Sequence, residues 1–519
     1  METRPLHIEE WLDKLPYIDF EKTGQLLFEA IQATNKESIK PSVRLELVEL
    51  YHRPYQYYLD LQIKTGAQHT LQSISTMQAQ LEILKKIAIN LGLACKLAVD
   101  ELLKRKTLWG QSKPPLPAML MSLNYLSHAM IFSFLEYSPI PKNVWREVNN
   151  IFTFAEDIGQ ENNTIILPGM DAKTGATSIA HSYKKIVLAS LADPHHLPFG
   201  AIWEIFGQLQ NWADSAQVRT FEIPVKPNGI FVVNLDSDTA PLPYSKFNDK
   251  LASDKHRLID TADLGMIIQQ QMAILDSGKS LDSSIKISPY FAKSIVSHIS
   301  KTWGTPPQRS IPRETSQGAM LISCGLNSTY YFLNNEENFV IPQAHSDADD
   351  MSDQSDDADA GIQKTYAADE WSLIDQGSGG FAVIKNDKPG DTVRVGDLVG
   401  INSDFIAQAN TWKLGIIRWL MIRQSKVYKV GIQMIANETH PAAIRAVKGS
   451  KQDLQYRRAF VTGDPDAQLI SSVITEKGLF IDERELELIY KGKNFRVSAN
   501  SLQESTVSFE HFSIRISSN

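Results

Sequence analysis

Apolar residues recur at helical spacing throughout the first 218 positions. Leu26, Leu27, Ala30 and Ile31 form one stripe, Val43, Leu47, Leu50 and Tyr51 a second, and Leu81, Leu84, Ala88, Leu91 and Cys95 a third. Pro114, Pro115 and Pro117 interrupt the pattern, because proline lacks the amide donor that a helix interior needs. The stretch from Ala118 to Leu135 is the most apolar of the chain. Asn124, Ser127, His128 and Ser133 punctuate it, so it predicts a buried core helix, not a membrane span. Val144, Val148, Phe152 and Ala155 mark another helix. Ser178 to Ala192 and Phe199 to Ala216 follow, joined by a proline-bearing turn at Asp193 to Pro198. Residues 1–218 thus read as a helical domain resembling an α-solenoid unit, with an unknown protein partner as its expected ligand.

At Arg219 the period shortens from about 3.6 towards 2. Residues 219–303 predict a mixed α/β connector, with strands at Thr220 to Val225 and Gly229 to Leu235 and helices at Leu258 to Leu275 and Pro289 to Trp303. Residues 304–455 predict a small antiparallel β-barrel. Its strand-like runs are Met320 to Cys324, Thr329 to Leu333, Ser372 to Ile374, Phe381 to Ile384, Thr392 to Ile401, Trp412 to Met421 and Val427 to Ile435. Trp412 and Trp419, seven apart on one run, are expected on opposite faces, one in a core and one against a neighbouring domain. Residues 456–519 predict a further small β-rich unit. The fold class is a multidomain α+β chain.

Charge sharpens one part of this outline. The net charge of the 519-residue chain is −8, but seven aspartates between His345 and Ala360 carry nearly all of it. They lie in a stretch of about 335–368 that is poor in large aliphatic residues and is expected to be a solvated, disordered insertion within the barrel. The remaining body is almost neutral. It lacks the basic surface of a DNA- or RNA-binding protein. Two cysteines, Cys95 and Cys324, form no metal-binding pair and suit a reducing compartment. With no signal-peptide core in METRPLHIEEWLDK, the expected location is the cytoplasm.

Catalytic motifs are not persuasive. A nucleophile elbow around Ser378 needs glycine two residues earlier, where Gln376 stands. His195 and His196 are adjacent and have no metal-ligand spacing with a third group. An enzyme is not expected, and no metal or resident cofactor is.

One constellation remains. Arg309 and Arg313 lie four apart on a proline-stiffened segment between a helix and the first barrel strand. Each guanidinium can grip a phosphate or a guanine edge through two parallel N–H groups. Further on, Asp375 ends a strand just before the glycine turn Gly377-Ser378-Gly379-Gly380. A carboxylate there can accept two N–H groups of guanine, and glycines let backbone amides approach a ligand.

This arrangement, RxxxR followed by an acid-to-glycine turn, resembles the signature of the PilZ domain, a six-stranded barrel family that binds cyclic di-GMP. Arg309, Arg313, Asp375 and Gly380 fall on its motif positions, and the resemblance covers roughly Trp303 to Ile435. Gly377 stands where the motif has serine, and Ser378 is displaced by one. More loosely, the layout resembles long proteobacterial PilZ proteins with a helical N-terminal region. The resemblance implies a cytoplasmic cyclic di-GMP receptor with Arg309, Arg313, Asp375, Gly377, Ser378 and Gly380 at the ligand. A scaffold that keeps the barrel without binding nucleotide, and acts through its helical domain, is the alternative reading.

Overall fold

The computed structural model describes residues 2–67, 74–104, 106–107, 110–111, 114–167, 176–304, 314–342, 365–390, 392–403, 411–423, 426–436, 438–450, 452–463 and 471–516. The chain forms two compact units, 1–308 and 309–519.

Among the described residues of the first unit, eight α-helices precede the first substantial sheet: α1 (Pro5–Leu12), α2 (Phe20–Lys36), α3 (Pro41–Ala67), α4 (Ile74–Lys104), α5 (Leu116–Leu135), α6 (Val144–Asp157), α7 (Ile179–Leu191) and α8 (Ala201–Trp212). Two short hairpins interrupt them, β1 (Lys106–Thr107) with β2 (Gly110–Gln111) and β3 (Ile165–Ile166) with β4 (Ala176–Thr177). Side-chain caps begin two of the helices. Asp19 accepts the Lys22 amide at 3.1 Å, and Ser178 accepts the His181 amide at 3.1 Å. Gly24 lets α2 approach α4, since a Cβ there would meet Ile83 at 2.6 Å. The apolar helix α5 is the core of this unit. It packs against α4, α6, α7 and α8, and 78% of its most apolar window is buried.

The sheet that follows has the order β5-β8-β6-β7, from β5 (Gln217–Thr220), β6 (Ile230–Asn234), β7 (Leu242–Pro243) and β8 (His256–Asp260). Helices α9 (Ala262–Asp276) and α10 (Pro289–Thr302) complete the unit. The helix expected from Leu258 begins only at Ala262, because His256–Asp260 is a central strand that buries Leu258 and Ile259. Trp303 ends α10 fully buried. Its Nε1 donates to the Leu188 carbonyl at 3.0 Å, and its own carbonyl accepts from the Thr261 hydroxyl.

The second unit contains two antiparallel barrels. In the first, β10 (Ala319–Cys324), β11 (Asp369–Gly377), β12 (Gly380–Lys385), β13 (Leu398–Asn402), β14 (Lys413–Arg423) and β15 (Val427–Ala436) pair in the order β10-β13-β14-β15-β12-β11. Ladder bonds from β11 back to β10 close the ring, and the two-residue strand β9 (Glu314–Thr315) adds to the free edge of β11. Trp371, Val383, Val430, Ile432 and Ile417 fill its interior. The second barrel closes as β16-β17-β18-β21-β20-β19, from β16 (Thr439–Ala446), β17 (Arg457–Thr462), β18 (Ser472–Glu476), β19 (Glu485–Tyr490), β20 (Lys493–Ser505) and β21 (Phe509–Ile516). Strand β16 falls inside the range 304–455 expected for the first barrel, yet it belongs to the second.

Three strand expectations are corrected. The run expected at Thr220–Val225 is strand only at Thr220, the last residue of β5. Thr329–Leu333 is part of a helix, α11 (Leu326–Leu333), despite its β-branched and aromatic content. Leu326, Tyr330 and Leu333, spaced i, i+4 and i+7, meet a core shared by both barrels with Leu398, Leu414, Ile416, Phe460, Ile474 and Phe509. Tertiary packing outweighs local propensity there. The run Thr392–Ile401 yields a strand only from Leu398, because a turn at Arg394–Asp397 precedes it, closed by the Asp397 amide on the Arg394 carbonyl at 3.2 Å.

Asp397 lies in the seam between the barrels, 8% exposed, and the Ser508 hydroxyl donates to it. Burial pushes its carboxyl up from 3.8 to about 6. The folded chain therefore holds this proton to higher pH than the unfolded chain does. Its contribution to stability is full below about pH 4 and is lost as pH rises through about 6. Asp397→Asn is expected to raise stability at pH 8 by up to about 3 kcal/mol and to change it little at pH 4. Urea denaturation at the two pH values measures the difference. An equal effect at both would remove the ionisation argument.

Candidate ligand face of the first barrel

In a closed barrel successive side chains alternate between interior and exterior, so each residue's face follows from its pairing partner. Trp371 and Leu373 share the parity of the interior residue Val383. Simple alternation would then turn Asp375 inward as well. A bulge between Leu373 and Asp375 consumes Ile374, whose carbonyl instead accepts the Ser316 amide at 3.2 Å. The extra residue reverses the parity, and Asp375 stands opposite Ala382 on the outer face.

Beyond Asp375 the strand ends in a tight hairpin. Gly377 pairs with Gly380, leaving Ser378 and Gly379 as an exposed two-residue turn. Gly380 has a steric reason to be glycine. A Cβ there would lie 2.1 Å from the Ile432 carbonyl oxygen of the next strand. By contrast, a Cβ on Gly379 would meet nothing within 4 Å. The Gly379 carbonyl accepts the Met434 amide at 3.0 Å, so the turn is bonded to β15 as well as to its own hairpin. Ser378, one place from the motif position, is at the tip of this turn.

Across the sheet, Asp375, Ala382, Gly431 and Trp419 occupy one outward row, and Gly377, Gly380, Gln433 and Ile416 the next. Trp419 is half-buried on this surface and is not a core residue. Its ring covers Gly431 so closely that a Cβ there would lie 1.8 Å from the indole nitrogen. At about 4.8 Å between strands, Asp375 and Gly431 stand roughly 10 Å apart. That span suits a planar base, with a carboxylate to accept paired N–H groups at one side and an indole to stack on at the other. Lys429 lies on the same face one row over, opposite Ile384.

Arg309 and Arg313 lie outside the described residues. Arg313 is joined directly to Glu314, however, and Glu314 and Thr315 pair with Gln376 and Asp375. The chain therefore resumes, right after the second arginine, on the strand that carries the acid. The sequence reading gave Trp419 to a core or a domain contact and did not single out Lys429, because the direction of both depends on strand order and bulges, which residue spacing does not encode.

Comparison with known proteins identifies the family of both parts of the chain. Residues 6–223 match the family model described as "Cyclic-di-GMP receptor FimW, N-terminal domain". Residues 230–370 and 340–441 match "Cyclic-di-GMP receptor FimW, middle PilZ domain". A relative from Pseudomonas aeruginosa, named Cyclic-di-GMP receptor FimW, is 20% identical, over 98% of this chain and 90% of its own length.

The two turn glycines are expected to behave differently. Gly380→Ala forces the β12–β15 ladder apart and should cost about 2 kcal/mol or more, whereas Gly379→Ala should change stability by less than about 0.5 kcal/mol. Chemical denaturation of the two variants tests this. Equal losses would contradict the placement of Gly380 against β15.

Proposed function

This chain belongs to the PilZ-domain family those models describe, and we propose that it is a cyclic di-GMP receptor whose ligand lies on the outer face of the first barrel. The observation that carries the proposal is the pairing of Glu314 and Thr315 with Gln376 and Asp375, which brings the chain emerging from the arginine segment onto the acid-bearing strand. On this reading Arg309 and Arg313 clamp phosphates and guanine faces. Asp375 accepts N–H groups of one guanine, and the Gly377–Gly380 turn admits the ligand close to the backbone. Charge-assisted hydrogen bonds contribute about 1.5–3 kcal/mol each. Three or four of them support binding near the micromolar range, about −8 kcal/mol. Gly377 in place of serine removes one hydroxyl contact and leaves the carboxylate and the glycine turn in place.

The output passes through a protein partner of the helical unit. That unit has a cavity of about 120 Å³ lined by Leu59, Leu81, Phe132, Leu135, Trp203 and Phe291, among others. The Phe132 and Trp203 rings stack there with centroids 6.1 Å apart. A cavity of this size and lining suits one large apolar side chain of a partner. The ligand selects among states of the chain by its differential contacts with them, and the partner reads the outcome.

Calorimetric titration of the full chain with cyclic di-GMP tests the receptor reading. Low-micromolar binding is expected, with a loss of at least about 10-fold in Asp375→Ala and abolition in Arg309→Ala/Arg313→Ala. A folded chain that takes up no dinucleotide at about 100 μM, some 5–6 kcal/mol of binding energy, would leave the scaffold reading in its place. Transmission is tested by hydrogen exchange. Adding the dinucleotide should change protection in α8, and unchanged rates there would sever the ligand from the helical unit.

A further inference from the structure

Neither family match reaches the strands of the second barrel beyond β16, yet one of its hairpins is built into the surface just described. The β20–β21 turn docks on the first barrel at four successive points. Glu504 pairs with Arg418, Thr506 lies against Gly396, Ser508 donates to Asp397, and Phe509 enters the shared apolar core. Of these contacts, the one to Arg418 leads on to the candidate ligand face.

Arg418 is a bulged residue. Ile417 pairs with Ile432 and Trp419 with Gly431, so Arg418 has no opposite number, and the bulge turns its side chain to the outer surface beside Trp419. There its Nε donates to the Gln433 side-chain oxygen at 2.7 Å, while both terminal nitrogens bind the Glu504 carboxylate. Gln433 pairs with Gly380, and the next amide, Met434, bonds the Gly379 carbonyl. A continuous path therefore runs from the second barrel to the glycine turn: Glu504, Arg418, Gln433, Gly380. The Arg418–Glu504 pair is partly exposed, so as an isolated ion pair it adds little stability. What its two-pronged geometry supplies is direction, because a fork bound at both ends holds Arg418 in one orientation.

We infer that Arg418 is a positioning residue for the dinucleotide site, oriented by Glu504, so that docking of the second barrel and ligand binding are thermodynamically linked. The inference rests on the receptor reading for its ligand, and the relay itself is measurable without ligand. By reciprocity, a ligand that favours the docked hairpin is itself favoured by that docking.

Hydrogen exchange of the full chain, with and without cyclic di-GMP, tests the relay in Glu504→Gln, Arg418→Gln, the double variant and Ser508→Ala. In ligand-free protein, Glu504→Gln should speed exchange at residues 379–382 and 432–434 by about 5-fold or more, and the double variant should match the faster single variant. Ser508→Ala breaks a different bond of the same docked hairpin and should leave those amides unchanged. In the titration, each single variant should weaken binding about 10-fold, with no further loss in the double. Unchanged exchange in Glu504→Gln, or equal acceleration by Ser508→Ala, overturns the relay, the latter by assigning the effect to general loosening. Accelerated exchange in Glu504→Gln, together with a wild-type chain that binds no dinucleotide, sustains the relay and refutes the receptor reading.

Discussion

Closure of the first barrel, by the ladder between β10 and β11, is the constraint from which the site derives its form. Once six strands join into a ring, every side chain on them must face in or out, and the interior is soon full of Trp371, Val383, Ile417, Val430 and Ile432. A charged or polar group has a place only outside. Two of the barrel's register shifts alter the alternation on this face, one at Ile374 that sends Asp375 outward and one at Arg418 that frees the arginine from the ladder. Such bulges cost ladder hydrogen bonds, and each is offset locally. Ile374 gives its carbonyl to Ser316, and Arg418 is held by Gln433 and Glu504.

The second barrel extends that constraint. Phe460, Ile474 and Phe509 share one apolar cluster with Leu398, Leu414 and Ile416, and α11 fills the cleft with Leu326 and Tyr330. Strands β13 and β14 therefore bury side chains on both faces, which explains a burial pattern of five successive buried residues at Leu398–Asn402. Burying Asp397 in the same seam carries a pH-dependent cost that the surrounding apolar contacts must exceed. A seam with this much apolar contact leaves the β20–β21 turn fixed relative to β14, so contacts at its tip can influence the outer face of the first barrel.

The helical half was largely legible because its signal is local. Stripes such as Leu81, Leu84, Ala88 and Leu91 identify a helix whatever it packs against, and α5 announces itself as core by being apolar on nearly every side. The barrel strands were legible as runs, but their faces were not. Asp375 could be marked as an acid at a strand end, whereas its outward direction depends on a bulge that no residue type announces. The parity argument for Trp412 and Trp419 failed for two reasons. Trp412 precedes β14 and stacks on Phe332, and the bulge at Arg418 consumes one residue of the count. Thr329–Leu333 misled in a third way, since its helical form is imposed by a cleft that exists only after both barrels have formed.

The arginine segment is joined at both ends to anchored structure. Before it, Trp303 is buried and bonded to Leu188 and Thr261; after it, Glu314 and Thr315 pair with the acid-bearing strand. Ten residues, 304–313, separate Trp303 from Glu314 in sequence, and Arg313 is the residue directly before the strand that pairs with Asp375. The spacing of the two arginines was therefore legible from residue types, whereas their nearness along the chain to the acid-bearing strand emerges only from the β9–β11 ladder.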